Sequence, residues 1–206
     1  MSANIFSRRQ VVAGGAIAGL AGAVGLPFME EKAGASTPKN DIKILNGALY
    51  YEHQAIWAYG FAAGKLSTTD VGKTVLALAL RNQTDHEAHR DLLTKAITSL
   101  GGTPVKADAK YDVSSYLQNG EGNLDSDVNI AKLALALEVD AAIAYTQQIA
   151  KLKTPELITV GASIGSTESA HAAAIRATFK ALGVNIEIVP AAFVSSESRQ
   201  AWVLKV

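Results

Sequence analysis

The chain has 206 residues, with 19 Lys plus Arg against 19 Asp plus Glu, so its formal net charge is zero. A neutral chain has no electrostatic footprint for nucleic acid, and 49% hydrophobic against 18% charged residues excludes disorder for its bulk. Cysteine is absent, which excludes disulfides, zinc fingers, iron–sulfur ligation and thiol nucleophiles. Any metal must be held by His, Asp, Glu or backbone oxygen.

Residues 1–35 read as an address. Ser7-Arg8-Arg9-Gln10-Val11-Val12 is a twin-arginine pair leading into a Gly/Ala-rich apolar run from Val11 to Leu26, closed by Pro27. Ala33-Gly34-Ala35 supplies a small-residue cleavage pattern. Together these spell a twin-arginine signal peptide and an exported, periplasmic destination. The run is shorter than the roughly 20 apolar residues of a spanning helix. Retained, it would instead be a membrane tether.

Residues 36–183 show apolar stripes at alternating steps of three and four, the helical period. The pattern predicts four helices: about Asp41–Lys65, Thr69–Leu100, Asp127–Leu152 and Pro155–Leu182. Asp41 is the expected N-cap of the first. Pro155 suits the first turn of the fourth, with Gly183 just past its end. Helices one and two are joined by a short turn around Leu66–Thr68, and three and four by one around Lys153-Thr154. Each pair is therefore an antiparallel hairpin. Gly101 to Ser126 is long enough to run the length of a bundle. The expected fold class is all-α: two hairpins joined by one crossover, the ferritin-like topology of four-helix bundles. Residues 184–206 are too short for a domain. They are expected to lie across the bundle with Phe193 and Trp202 as anchors, or to serve a partner chain.

The ionisable residues fall inside the stripes. Glu52 continues Leu45, Leu49, Ile56 and Tyr59, and Glu138 continues Ala131, Ala134, Ala141 and Tyr145. Glu168 and His171 lie on the stripe of Ile164 and Ile175, and His86 and His89 on that of Val75, Asn82 and Leu93. Each helix thus aims at least one ligand type at the core near its middle. Buried carboxylates without partners are costly and repel one another, and divalent cations offset both effects. Glu168-x-x-His171 with the lone Glu138 forms a half-site of a dimetal carboxylate bundle. Glu52 is the lone Glu of the other hairpin, whose second helix carries His86 three residues before His89 instead of Glu. Either His86 or Asp85 fills that place. The expected grouping is Glu52 with His89, Glu168 with His171, and Glu138 bridging. Tyr145 is a candidate donor to a ligand carboxylate, Tyr59 reads as a core aromatic, and His53 faces away from Glu52.

These residues, the leader and the Gly101-Gly102-Thr103-Pro104 stop make the chain resemble exported bacterial members of the ferritin-like superfamily over Asp41–Leu182. The resemblance implies a dimetal site of Glu52, His86, His89, Glu138, Glu168 and His171, with Asp85 and Tyr145 as outer partners. It implies two iron ions, or manganese in their place, reacting with dioxygen or peroxide in oxidase, peroxidase or iron-handling chemistry. It does not imply a storage cage, and a smaller homo-oligomer stays open. The alternative is a non-catalytic structural or stress-protection protein of the cell envelope on the same scaffold, with no competent metal site.

Overall fold

The computed structural model describes residues 37–206; the leader, with Arg8, Arg9 and Ala33-Gly34-Ala35, lies outside them. Four long helices carry the fold: α1 Thr37–Ala63, α2 Asp70–Ser99, α4 Asp127–Ile149 and α5 Pro155–Ala181. Two short ones, α3 Ser114–Gln118 and α6 Arg199–Trp202, lie in the crossover and the tail. There is no strand among the described residues.

Local chemistry explains most of the boundaries. The Thr69 hydroxyl accepts from Gly72 N, and the Ser126 hydroxyl from Asn129 N, so α2 and α4 start on side-chain caps. Gly101 and Gly183, which follow α2 and α5, take positive φ values of 76° and 91° that suit glycine. Asp41 departs from its expected role. α1 is already helical from Thr37, and the fully buried Asp41 carboxylate reaches the α4–α5 turn. There it accepts from Lys153 N and Thr154 N, both at 3.0 Å, and from Thr154 Oγ1 at 2.7 Å. It caps the start of α5 rather than the start of its own helix.

The crossover tracks α1 from end to end. A Cβ on Gly102 would meet Ile42. Further along, Asn46 bonds Thr103 O and Val105 N, His53 Nε2 lies 3.2 Å from Val105 O, and Gln54 donates to Asp112 O. At the far end, Asp127 accepts from Ser67 N and Oγ, tying the start of α4 to the α1–α2 turn. α4 therefore runs antiparallel to α1, and the two hairpins are joined by one long crossover.

Two apolar layers flank the middle of the bundle. Val75, Leu135, Ile175, Phe179 and Trp202 fill one, while Leu49, Leu93, Ile97 and Leu157 are fully or almost fully buried in the other. Burial of each large side chain contributes about 1.5–3 kcal/mol. That offsets the cost of holding charged groups in the layer between. The tail is fastened by polar contacts. Arg199 forks onto Glu121 (2.6 and 2.8 Å) and Asp140 (2.5 and 2.8 Å), and buried Arg176 donates to Trp202 O and Glu187 O. Trp202 is buried as expected. Phe193 is not: its ring is 76% exposed, and only its carbonyl is used, by Trp202 Nε1.

Candidate metal centre

Six side chains meet in the middle layer: Glu52 from α1, His86 and His89 from α2, Glu138 from α4, and Glu168 and His171 from α5. Helical periodicity puts residues three apart on one face, so His86/His89 and Glu168/His171 each enter as a pair. Five are buried, Glu168 completely, and the His89 side chain is 12% exposed.

Two groups of ligand atoms form within this cluster, each spanning no more than 4.8 Å: Glu52, His86, His89 and Glu168, and His86, Glu138, Glu168 and His171. Glu52 does fall with His89 and Glu168 with His171. The shared positions go to Glu168 and His86, however, and Glu138 belongs to one group alone. The atoms show why. Glu168 Oε1 lies 3.1 Å from His89 Nδ1, and Glu168 Oε2 lies 3.3 Å from His171 Nδ1, one oxygen toward each group. His86 is also two-sided, with Nδ1 2.8 Å from Glu52 Oε2 and Nε2 3.3 Å from Glu138 Oε1. His171 Nδ1 also lies 3.2 Å from Glu138 Oε2.

Asp85 stays outside. One residue before His86, it is turned about 100° around the helix. It meets the outer edge of His171, with Oδ2 3.1 Å from Nε2, while its Oδ1 accepts from Arg81 at 2.6 Å. His86, not Asp85, occupies the place a Glu-x-x-His pattern would give to carboxylate.

The tyrosines cross over. Tyr145 donates to Glu52 Oε1, and Tyr59 donates to Glu138 Oε1. Tyr145 lies two turns, about 10 Å, from Glu138 on its own helix, too far to reach it. The antiparallel neighbour α1 brings Glu52 within range instead. Asn82 completes the set with Nδ2 3.0 Å from the Tyr59 hydroxyl and 3.4 Å from Glu138 Oε1. The roles of Tyr59 and Asn82 escape sequence reasoning. The one available signal is that Tyr59 follows Glu52 by the same seven residues that separate Tyr145 from Glu138.

The electrostatics divide the carboxylates. Burial raises the Glu52 carboxyl, but the His86 bond and the His86 and His89 charges more than offset it, leaving a pKa of about 2. For Glu138, His86 and His171 likewise outweigh burial and hold it well below the usual range. Glu168 goes the other way, raised by burial and by the Glu138 charge against its His171 and His89 contacts. Burial opposes charge on the imidazoles, yet the carboxylates prevail, bringing His89 to about 9 and His171 to about 10, with His86 raised well above its ordinary value. Burial first, and then the Glu138 and Glu52 charges, raise the Tyr59 and Tyr145 hydroxyls, so both stay protonated donors.

One feature tests the fit to a metal. Among the described residues neither oxygen of Glu168 has a hydrogen-bond partner, nor does His89 Nδ1, although all three atoms are buried. A buried carboxylate without a donor costs several kcal/mol. The atoms facing it are imidazole nitrogens and carboxylate oxygens, a donor set suited to a divalent first-row cation. The cluster can hold a metal ion.

Known proteins agree with this architecture. A family model described as a ferritin-like domain matches residues 40–181. A crystal structure of a conserved hypothetical protein from Mycobacterium tuberculosis is similar at a TM-score of 0.60 and 21% identity, over 72% of this chain and 96% of that one. At that identity the likeness concerns the fold alone. No curated protein matches the sequence. With helices, crossover and family model in agreement, the chain belongs to the ferritin-like domain family.

Proposed function

We propose that this is an exported ferritin-like metalloprotein whose centre binds iron or manganese and reacts with dioxygen or peroxide. The observation that carries the metal reading is Glu168: wholly buried, without a hydrogen bond, and facing His89 with one oxygen and His171 with the other. Export is supported by Arg8-Arg9, the apolar run and Ala33-Gly34-Ala35.

The residues divide the work. Glu52, His89 and Glu168 would hold one position and Glu138, Glu168 and His171 the other, with His86, whose neutral ring has one free nitrogen, completing one of the two. Iron or manganese, when bound, supplies the change of oxidation state that reaction with an oxygen-derived oxidant requires. Tyr59 and Tyr145 each hold one oxygen of Glu138 and Glu52, which fixes the direction in which the other oxygen is presented. Asp85, fixed by Arg81, accepts at His171 Nε2 and so leaves Nδ1 turned inward. The apolar layers on both sides shield the cluster along the bundle axis.

The test is metal analysis of the purified protein by mass spectrometry, in the natural chain and in Glu168→Ala. Stoichiometric iron or manganese, lost in the variant, is the expected result; no metal in either protein refutes the reading. A second reading, a metal-free scaffold of the cell envelope, has its own support. His86 bonds Glu52 and lies against Glu138, so three imidazoles neutralise three carboxylates without a metal. That reading requires thermal stability to be indifferent to both metal and chelator.

A further inference from the structure

A trough lies along the seam between α1 and α4. Its lower cavity, about 400 Å³, is bordered by Lys43 and Lys151 at one end and by Glu52, His86 and Tyr145 deeper in. The upper cavity, about 210 Å³, is lined by Trp57, Phe61, Leu133 and Leu137 and also reaches His86, with Glu138. Tyr51, Ala55, Ala141 and Ala144 line both. The seam is open because small residues line it, Ala55 and Ala58 from α1 and Ala141 and Ala144 from α4, and alanines cannot fill the space between two helices.

We propose that this trough binds a linear long-chain carboxylic acid. Its carboxylate would sit at Lys43 and Lys151, and its alkyl chain would pass the histidine–carboxylate cluster to end against the stacked rings of Trp57 and Phe61. Three observations select that chemistry. The first is length: Lys43 to Phe61 is 18 residue steps along α1, about 27 Å at helical rise, with Glu52 midway. That suits a chain rather than a compact molecule. The second is charge. Lys43 and Lys151 are exposed at the lower mouth, and among the described residues Lys151 Nζ has only the neutral Gln148 at 3.5 Å. The third is polarity. The upper cavity is walled by aromatic and aliphatic side chains; of its acidic groups, Glu138 is held by Tyr59 and Asp140 by Arg199. The head stays at the lysine mouth, where its charge is paired and in contact with water, and the tail goes inward. The inference concerns binding alone and does not depend on a metal in the centre.

Trp57 lines the upper cavity and reports on it, while Trp202 is buried under the tail. The full chain, metal-free and metal-loaded, is titrated with hexadecanoate while tryptophan emission is followed. A saturable change that disappears in Trp57→Phe is expected. Affinity should rise roughly fourfold per methylene from decanoate to hexadecanoate. Lys43→Glu with Lys151→Glu should weaken binding at least about tenfold. Ala141→Phe should block the junction, and Ala55→Phe on the facing wall gives the same block should the first variant not fold. Metal content measured on the same samples keeps this inference separate from the metal reading. No Trp57 response in a protein that is folded, with or without metal, overturns it. So does equal affinity for hexadecanol or a hexadecyl ammonium cation, or binding that survives both alanine replacements.

Discussion

The two hairpins carry nearly the same set of groups. α1 and α2 offer Glu52, Tyr59, His86 and His89; α4 and α5 offer Glu138, Tyr145, Glu168 and His171. Each tyrosine serves the other hairpin's glutamate, so the halves are locked crosswise. They differ at one place, His86 against Glu168, and the difference is instructive. The two nitrogens of His86 are on opposite edges of the ring, and each already faces a carboxylate. The two oxygens of Glu168 face imidazoles without forming a hydrogen bond. One hairpin fills its place with a paired imidazole; the other leaves two carboxylate oxygens between imidazoles, where a cation could be held.

The sharpest way to break this comparison is to make both places apolar. His86→Leu removes the partner of two buried carboxylates and should destabilise the metal-free protein by about 3–5 kcal/mol. Glu168→Met removes a carboxylate whose charge its surroundings disfavour, so it should cost the metal-free protein much less than His86→Leu does, while abolishing metal binding. Chemical denaturation of the two variants in chelator measures both. Loss of stability in Glu168→Met equal to that in His86→Leu would refute the asymmetry.

Titration sharpens it from another side. His89 and His171 have folded pKa values of about 9 and about 10, above their ordinary 6.5. Their contribution to stability is complete below about 6.5 and is lost as the pH rises through 9 and 10. Glu52 acts oppositely, its contribution present above about 4.5 and lost as the pH falls toward 2. The metal-free melting temperature should therefore decline between pH 7 and pH 10. Ligation needs neutral imidazole, so the rise in melting temperature on adding manganese should grow over the same interval. Parallel slopes with and without metal would contradict ligation by these rings.

Making the hairpins alike is a smaller perturbation in size but a direct one. His86→Glu supplies α2 with the Glu-x-x-His pattern that α5 already has. The variant should bind more iron or manganese per chain, and more tightly, than the natural protein, measured by mass spectrometry after equilibrium dialysis. Its metal-free form should be less stable, because four carboxylates then face two imidazoles.

Much of this was legible from spacing. Four helices, a crossover and six inward ligand types follow from the helical period, because a residue's face depends only on its own helix. What depends on register between helices was not. Asp41 looked like a cap for α1, yet it caps α5, since nothing local says how far α1 extends toward its neighbour's turn. Spacing alone makes Glu138 the shared residue, yet Glu168 and His86 stand in both groups of ligand atoms, because the depth at which the hairpins meet sets which oxygens face which nitrogens. Phe193 looked like an anchor because it is large and apolar; the tail is held instead by Arg199 and Arg176 through hydrogen bonds.

Tyr59 belongs with these long-range cases and supports the finest test of the two halves. Tyr59→Phe and Tyr145→Phe each remove one buried hydroxyl from one carboxylate, so each should cost about 1–3 kcal/mol. The costs should not be equal. Asn82 Nδ2 lies 3.0 Å from the Tyr59 hydroxyl and only 3.4 Å from Glu138, so losing Tyr59 strands a buried amide as well as a carboxylate oxygen. No comparable amide contacts Tyr145 among the described residues. Tyr59→Phe should be the more damaging, and Asn82→Leu in that background should recover part of the loss, because removing both partners costs less than stranding one. Equal losses, with no recovery on the second change, would mean that Asn82 is indifferent to Tyr59 and that the two halves are alike in everything but His86.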